Sequence, residues 1–335
     1  MYMKLNLVFD SLKKFGISIV FISLVSCAST NKRKEMKIIN LRNDLVSFWK
    51  EAKNKDHEKR VNLWNEVIEQ KYPYLYSNQV WRSESRKGWK DFKAKKLKET
   101  FSYYDSSFEK VVDMFDSFNE TLSRQMSKYS KLFPGSDFSN TPIVVLPSAM
   151  TFNGRGGSHK DYPDVPVLYM GIDFISQRND NIDILYSHEL FHIYHVDRMK
   201  VNEEVFLKKG KMTLPLWLEG FATWVSGEFN EDGRIDELLM DDNFESIDKK
   251  ILRSVSLRFL QDADKLVTAD KMNIYQSWFN MDQPPVINGL PSRLGYFLGY
   301  FVVDEIAKKN DIKDMVFWDH ERVHKEVVSA LQHLK

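Results

Sequence analysis

The stretch His188-Glu189-Leu190-Phe191-His192 sets two imidazoles four residues apart with a carboxylate next to the first. On a helix, positions i and i+4 share a face, so both rings can grip one zinc ion while Glu189 stands beside it. The chemistry this pattern allows is metal-assisted hydrolysis. Zinc lowers the pKa of a water, Glu189 takes its proton and later passes it to the leaving amine, and the hydroxide attacks a peptide carbonyl that the metal polarises.

Such a metal usually takes three protein ligands, so a further side chain is required. His195 shares the face, but a straight helix separates it from His188 by about 10.5 Å of rise, too far for one ion bound at about 2 Å. Glu228 has little apolar context. Glu219 is the stronger candidate. Residues 214–224 predict a separate helix, begun by Pro215, that can pack across the first, with Gly220 leaving room for close contact. Charge developing on the attacked carbonyl needs another donor. Tyr296, Arg293, Tyr300 and His195 are candidates, and Tyr296 is favoured as a catalytic residue because it falls in Gly295-Tyr-Phe-Leu-Gly-Tyr300.

His188-Glu-Leu-Phe-His192 followed by Trp217-Leu-Glu-Gly-Phe-Ala222 resembles the gluzincin metallopeptidases, particularly bacterial families known as predicted zinc-dependent proteases. The likeness spans roughly residues 141–305. It implies a zincin-like α+β fold, mainly helical, with a small sheet beside the active helix. It also implies His188, His192 and Glu219 as zinc ligands, Glu189 as the catalytic base, and a peptide or protein substrate. Many gluzincins carry an acidic residue four positions after the ligand glutamate, where it braces a zinc-bound histidine; here that position is Thr223. The rival reading is an inactive zinc-binding envelope lipoprotein that binds peptides or acts as a scaffold, against which the intact Glu189 speaks.

The supporting elements follow from periodicity. Ile182, Ile184, Leu185, Leu190, Phe191, Ile193 and Tyr194 predict a mostly buried helix around the two histidines, with Asn179, Asp180 and Asn181 as N-caps. Upstream, residues 142–147 predict a short buried strand. Residues 165–171 predict a second, at an edge because of Pro166, the two being joined by a glycine-rich loop over 153–157. Such a strand and loop suit a peptide-binding edge. Residues 38–133 read as mainly helical, with a break at Pro73, and 228–248 as an acidic surface segment. Leu294–Val303 predicts a buried helix in which Gly295 and Gly299 allow a neighbour to come close.

A chain of 335 residues with 43% hydrophobic content and a net charge of +1 can bury a sizeable core and presents no field suited to nucleic acid. The single cysteine, Cys27, excludes an intrachain disulfide framework. It follows a basic start and the apolar run 17–25, ending Leu24-Val-Ser-Cys27, which resembles the lipobox of bacterial lipoproteins. Cys27 is therefore the expected lipidation site, Ala28 after it resembles outer-membrane sorting signals, and the protein is expected to work tethered to a membrane outside the cytoplasm. The expected organisation is a signal peptide over 1–26, a tether over 27–37, a helical region over 38–140 and a zincin-like catalytic domain over 141–335.

Overall fold

Apolar stripes at helical spacing make this a mainly helical α+β chain with one four-stranded sheet. The computed structural model describes residues 37–335 apart from 200, 202, 231, 232 and 282. The expected signal peptide and Cys27 lie outside the described residues. Among the described residues no helix is long and apolar enough to cross a membrane. The chain forms two compact units, one comprising residues 37–124 and 137–182, the other 125–136 and 183–335.

The first unit holds β1 (Ile38–Asn40), α1 (Arg42–Ala52), α2 (His57–Trp64) and most of α3 (Trp89–Leu132), then β2 (Ile143–Leu146), β3 (Gly154–His159), β4 (Tyr162–Gly171) and α4 (Ile172–Arg178). Phe48, Trp64 and Phe101 pack their rings at 5.2–6.0 Å in its core. The break expected at Pro73 falls between two π-helical turns, Asn65–Glu69 and Leu75–Val80. Ser107, with φ −138°, interrupts α3.

The sheet runs β1-β2-β4-β3, with β1, β2 and β4 parallel and β3 antiparallel to β4. Three expectations need correction. Residues 38–40, absorbed into the helical reading, form β1. The glycine-rich stretch is not a loop but strand β3, an edge of the sheet. Glycine at three of its six positions hides any period-two pattern, and a Cβ on Gly157 would stand only 3.1 Å from the Tyr169 ring. Finally, β4 is an inner strand. Pro166 is tolerated there because β2 pairs only with Leu168–Gly171 and the β3 register shifts between Gly157 and His159, so no ladder bond is asked of the proline.

The turn after β2 is held by Asp173. This fully buried carboxylate accepts hydrogen bonds from Ser148 N (2.7 Å), Ser148 Oγ (2.9 Å), Phe174 N (2.9 Å), Tyr104 Oη (3.2 Å) and Met150 N (3.3 Å). Ala149 and Met150 adopt φ of 52° and 55°, a left-handed conformation that turns backbone N–H groups toward the carboxylate.

The second unit is helical. It contains α5 (Ile182–Met199), α6 (Glu203–Lys209), α7 (Thr213–Phe229), α8 (Ile235–Leu239), α9 (Leu252–Leu260), α10 (Asn273–Phe279), α11 (Leu294–Ala307), α12 (Ile312–Met315) and α13 (His320–Leu334). Asn179, an expected N-cap for α5, instead closes α4 with φ 60°. The segment read as acidic surface contributes Asp236, Leu238, Leu239, Asp241 and Phe244 to the interior, because α8 carries its own apolar side.

Candidate metal centre

Helix α5 is buried along most of its length, as its dense apolar content requires, and Tyr129 Oη pins its backbone by donating to Ser187 O at 2.5 Å. One turn of helix brings the His188 and His192 rings to 4.6 Å between centroids. Helix α7 is buried through residues 213–226, a pattern expected of a helix apolar on all sides. It meets α5 through Phe221, whose ring lies 4.7 Å from Phe191 and 5.0 Å from His195. From the same helix Glu219 reaches the two histidines of α5.

The result is a tight triangle. His188 Nε2 and His192 Nε2 are 3.0 Å apart, and they lie 3.4 and 3.3 Å from Glu219 Oε2. Ligand atoms about 2.0–2.2 Å from a tetrahedral centre stand about 3.3–3.6 Å from one another. Two edges match that spacing, and the histidine edge closes the rest by a small ring rotation. Three lone-pair-bearing atoms converging in a buried place repel one another unless they share protons or a cation. His188, His192 and Glu219 can therefore hold a metal ion.

The local electrostatics agree with the packing. Burial pushes the His188 imidazole down to about 4, so it is neutral and able to coordinate. Burial opposes a proton on His192 too, but the facing Glu219 carboxylate outweighs it and raises that pKa. Burial alone would raise Glu219; the His192 and His188 rings more than reverse this and hold it well below the usual carboxylate range.

Glu189 follows His188 and is half-buried. Its charge reaches both His192 and the Tyr296 hydroxyl. Tyr296 lies with its ring 6.2 Å from that of His188, on α11. Burial first, then the Glu219 charge, pushes its hydroxyl well above the ordinary range, so it stays a protonated donor. Arg293, at the N-cap of α11 with φ 61°, sets its guanidinium 4.2 Å from the Tyr296 ring.

Other candidates fall away from the centre. His195 is enclosed by Phe191, Trp217 and Phe221, with neither ring nitrogen hydrogen-bonded among the described residues, and burial drives its pKa far down. It is neither ligand nor donor to the centre. Tyr300 lies against Gly227, two turns beyond Glu219 on α7, and Glu228 is exposed. Thr223 Oγ1 donates to Glu219 O at 2.8 Å, while His188 Nδ1 is buried without a partner among the described residues. The histidine brace suggested by the sequence position is therefore absent on that side.

Gly220 acts differently from expectation. A Cβ there would lie 2.4–2.5 Å from the Gly299 backbone, and one on Gly299 would lie 2.7 Å from Gly220 Cα. The close approach is thus between α7 and α11, not α7 and α5. Successive helical residues point about 100° apart, so with Glu219 turned to α5 its neighbour must face another helix. Sequence reasoning missed Tyr275 and Phe279 of α10, which back the centre. The Phe279 ring packs 5.8 Å from Tyr296, and the Tyr275 hydroxyl, buried, feels the Glu219 charge. Their periodicity marks an ordinary core helix and nothing more.

Comparison with family models, with curated proteins and with solved structures returns no match.

Proposed function

We propose that the chain is a zinc-dependent peptidase whose metal is held by His188, His192 and Glu219, with Glu189 as general base. The supporting observation is the convergence of two imidazoles and a carboxylate within 3.0–3.4 Å, with a second, half-buried glutamate at the next position. Two imidazoles and one carboxylate are the donor set of hydrolytic zinc sites that keep a fourth position open. Zinc bound there would supply a Lewis acid that polarises a carbonyl and acidifies water.

The chain's own groups do the rest. Glu189 accepts a proton at its carboxylate and returns it to the departing amine. The Tyr296 hydroxyl donates to the oxygen on which charge develops, and the aromatic walls of α10 and α11 exclude water there. The fold this reading implies is zincin-like, with α5 as its active helix. As sequence alone suggests, Cys27 would carry a lipid that tethers the mature protein to a membrane; a native protein with unmodified Cys27 would reject that part.

The deciding experiment measures bound zinc and peptide hydrolysis in parallel. Glu189→Gln should keep one zinc per chain and lose about 10²- to 10⁴-fold in kcat/KM. Equal turnover of wild type and variant against a broad peptide library would reject the catalytic reading.

A further inference from the structure

Arg293 is a half-buried cation next to the proposed reaction centre, yet no carboxylate pairs with it among the described residues. Its guanidinium stands over the Tyr296 ring at 4.2 Å, donates Nη1 to Leu239 O at 3.0 Å and also reaches the Tyr296 hydroxyl, which leaves further N–H groups of its fork open. Glu219 faces the two histidines, and Asp236 pairs with Arg234 at 2.7 Å. The backbone at Arg293 is left-handed, which is uncommon for a residue with a Cβ and is held here by the start of α11 and the bond to Leu239 O. A positioned guanidinium with unused N–H groups is the usual partner of a carboxylate, which it grips by two parallel bonds.

We infer that Arg293 binds the free C-terminal carboxylate of the substrate, so that the enzyme releases short C-terminal fragments instead of cutting within long chains. This rests on the peptidase reading above and adds the substrate class. Reach supports it. The Tyr296 ring lies 6.2 Å from the His188 ring and 4.2 Å from the guanidinium, so Arg293 is close to the metal-binding imidazole. That separation is at most about 10 Å, and an extended chain covers about 3.3–3.6 Å per residue, so no more than about three residues fit between the scissile bond and the carboxylate. The bond broken is a peptide C–N bond near the C-terminus. Water supplies the hydroxyl to the new carboxylate and the proton to the released amine, and no oxidant or other co-reactant enters.

The test compares peptides of one sequence with a free acid or an amide at the C-terminus, using zinc-loaded full-length protein. Wild type should prefer the free acid by about ten- to a hundredfold in kcat/KM, the scale of a hydrogen-bonded charge pair. Arg293→Gln should erase that preference by slowing the free acid about ten- to a hundredfold more than the amide, with Arg293→Lys intermediate. Equal cleavage of both forms by wild type overturns the inference while leaving a peptidase. So does an equal loss on both forms in Arg293→Gln, which would place Arg293 at the reacting carbonyl or in the framework. If no peptide is cleaved, the peptidase reading fails by itself. Calorimetric binding of the two peptides to zinc-loaded Glu189→Gln then still decides, tighter free-acid binding supporting the inference and equal binding overturning it.

Discussion

Two buried carboxylates, one in each compact unit, face opposite situations. Asp173 accepts five hydrogen bonds from hydroxyls and backbone N–H groups, and burial nevertheless raises its pKa. Glu219 receives two imidazoles that are themselves close together, and its pKa falls. Donors that surround Asp173 from four points of the chain fix a turn, and nothing more is asked of that group. The imidazole nitrogens around Glu219 carry lone pairs of their own, so they can act as acceptors as well as donors. A buried acid whose partners are all donors builds structure, whereas one whose partners are also acceptors calls for a cation.

The sharpest way to break this comparison is to remove each carboxylate in turn. Glu219→Ala should lower zinc affinity at least about 100-fold, measured by competition with a chelator, while the circular dichroism spectrum stays that of a folded helical protein. Undiminished zinc binding would remove Glu219 from the centre. Asp173→Ala should do the reverse. It strands buried donors at Ser148, Met150 and Phe174, so urea unfolding should show a loss of about 2–4 kcal/mol with the zinc stoichiometry unchanged. Loss of zinc without loss of stability would undo the contrast.

A smaller effect tests how Glu219 is held. Gly220→Ala forces a methyl to within 2.4–2.5 Å of the Gly299 backbone, so α7 and α11 must separate. We expect a loss of about 1–3 kcal/mol in stability and a weakened zinc site; a fully neutral substitution would show that the helices can slide apart freely.

The smallest effect concerns His195, a third buried group that has neither set of partners. Its folded-state pKa lies well below the ordinary histidine value because of burial. The unfolded chain therefore takes up a proton near pH 6.5 that the folded chain refuses, so this contribution is complete above about pH 6.5 and is lost as pH falls. In metal-free protein the slope from this residue should approach about 1.4 kcal/mol per pH unit below that point. His195→Leu should flatten it. Parallel slopes for wild type and variant would mean that the ring finds a proton acceptor when charged.

What could be read from the sequence follows from which features have a fixed geometry. The spacing of His188 and His192 determines their shared face in any helix, and the same rise excluded His195. Glu219 was legible because it stood in a strongly apolar helix distinct from the first. The partner of Gly220 was not, since spacing along one helix says nothing about which other helix arrives there. Strand β3 escaped because glycines leave no alternating pattern, and β1 because three residues carry no period. Arg293 was visible only as one donor among several. That no carboxylate pairs with it among the described residues depends on where each acidic side chain ends up, which is a property of the folded chain alone.

The crossing of α7 and α11 at Gly220 and Gly299 has a consequence in time as well as in space. With backbones in direct contact there is no side chain to flip and no gap to breathe through, so the amides of residues 216–223 can open to solvent only when the two helices part. Their hydrogen–deuterium exchange should be among the slowest in the molecule. The carboxylate of Glu219 then inherits the lifetime of the crossing, and a metal ion held there would be released on the timescale of helix separation.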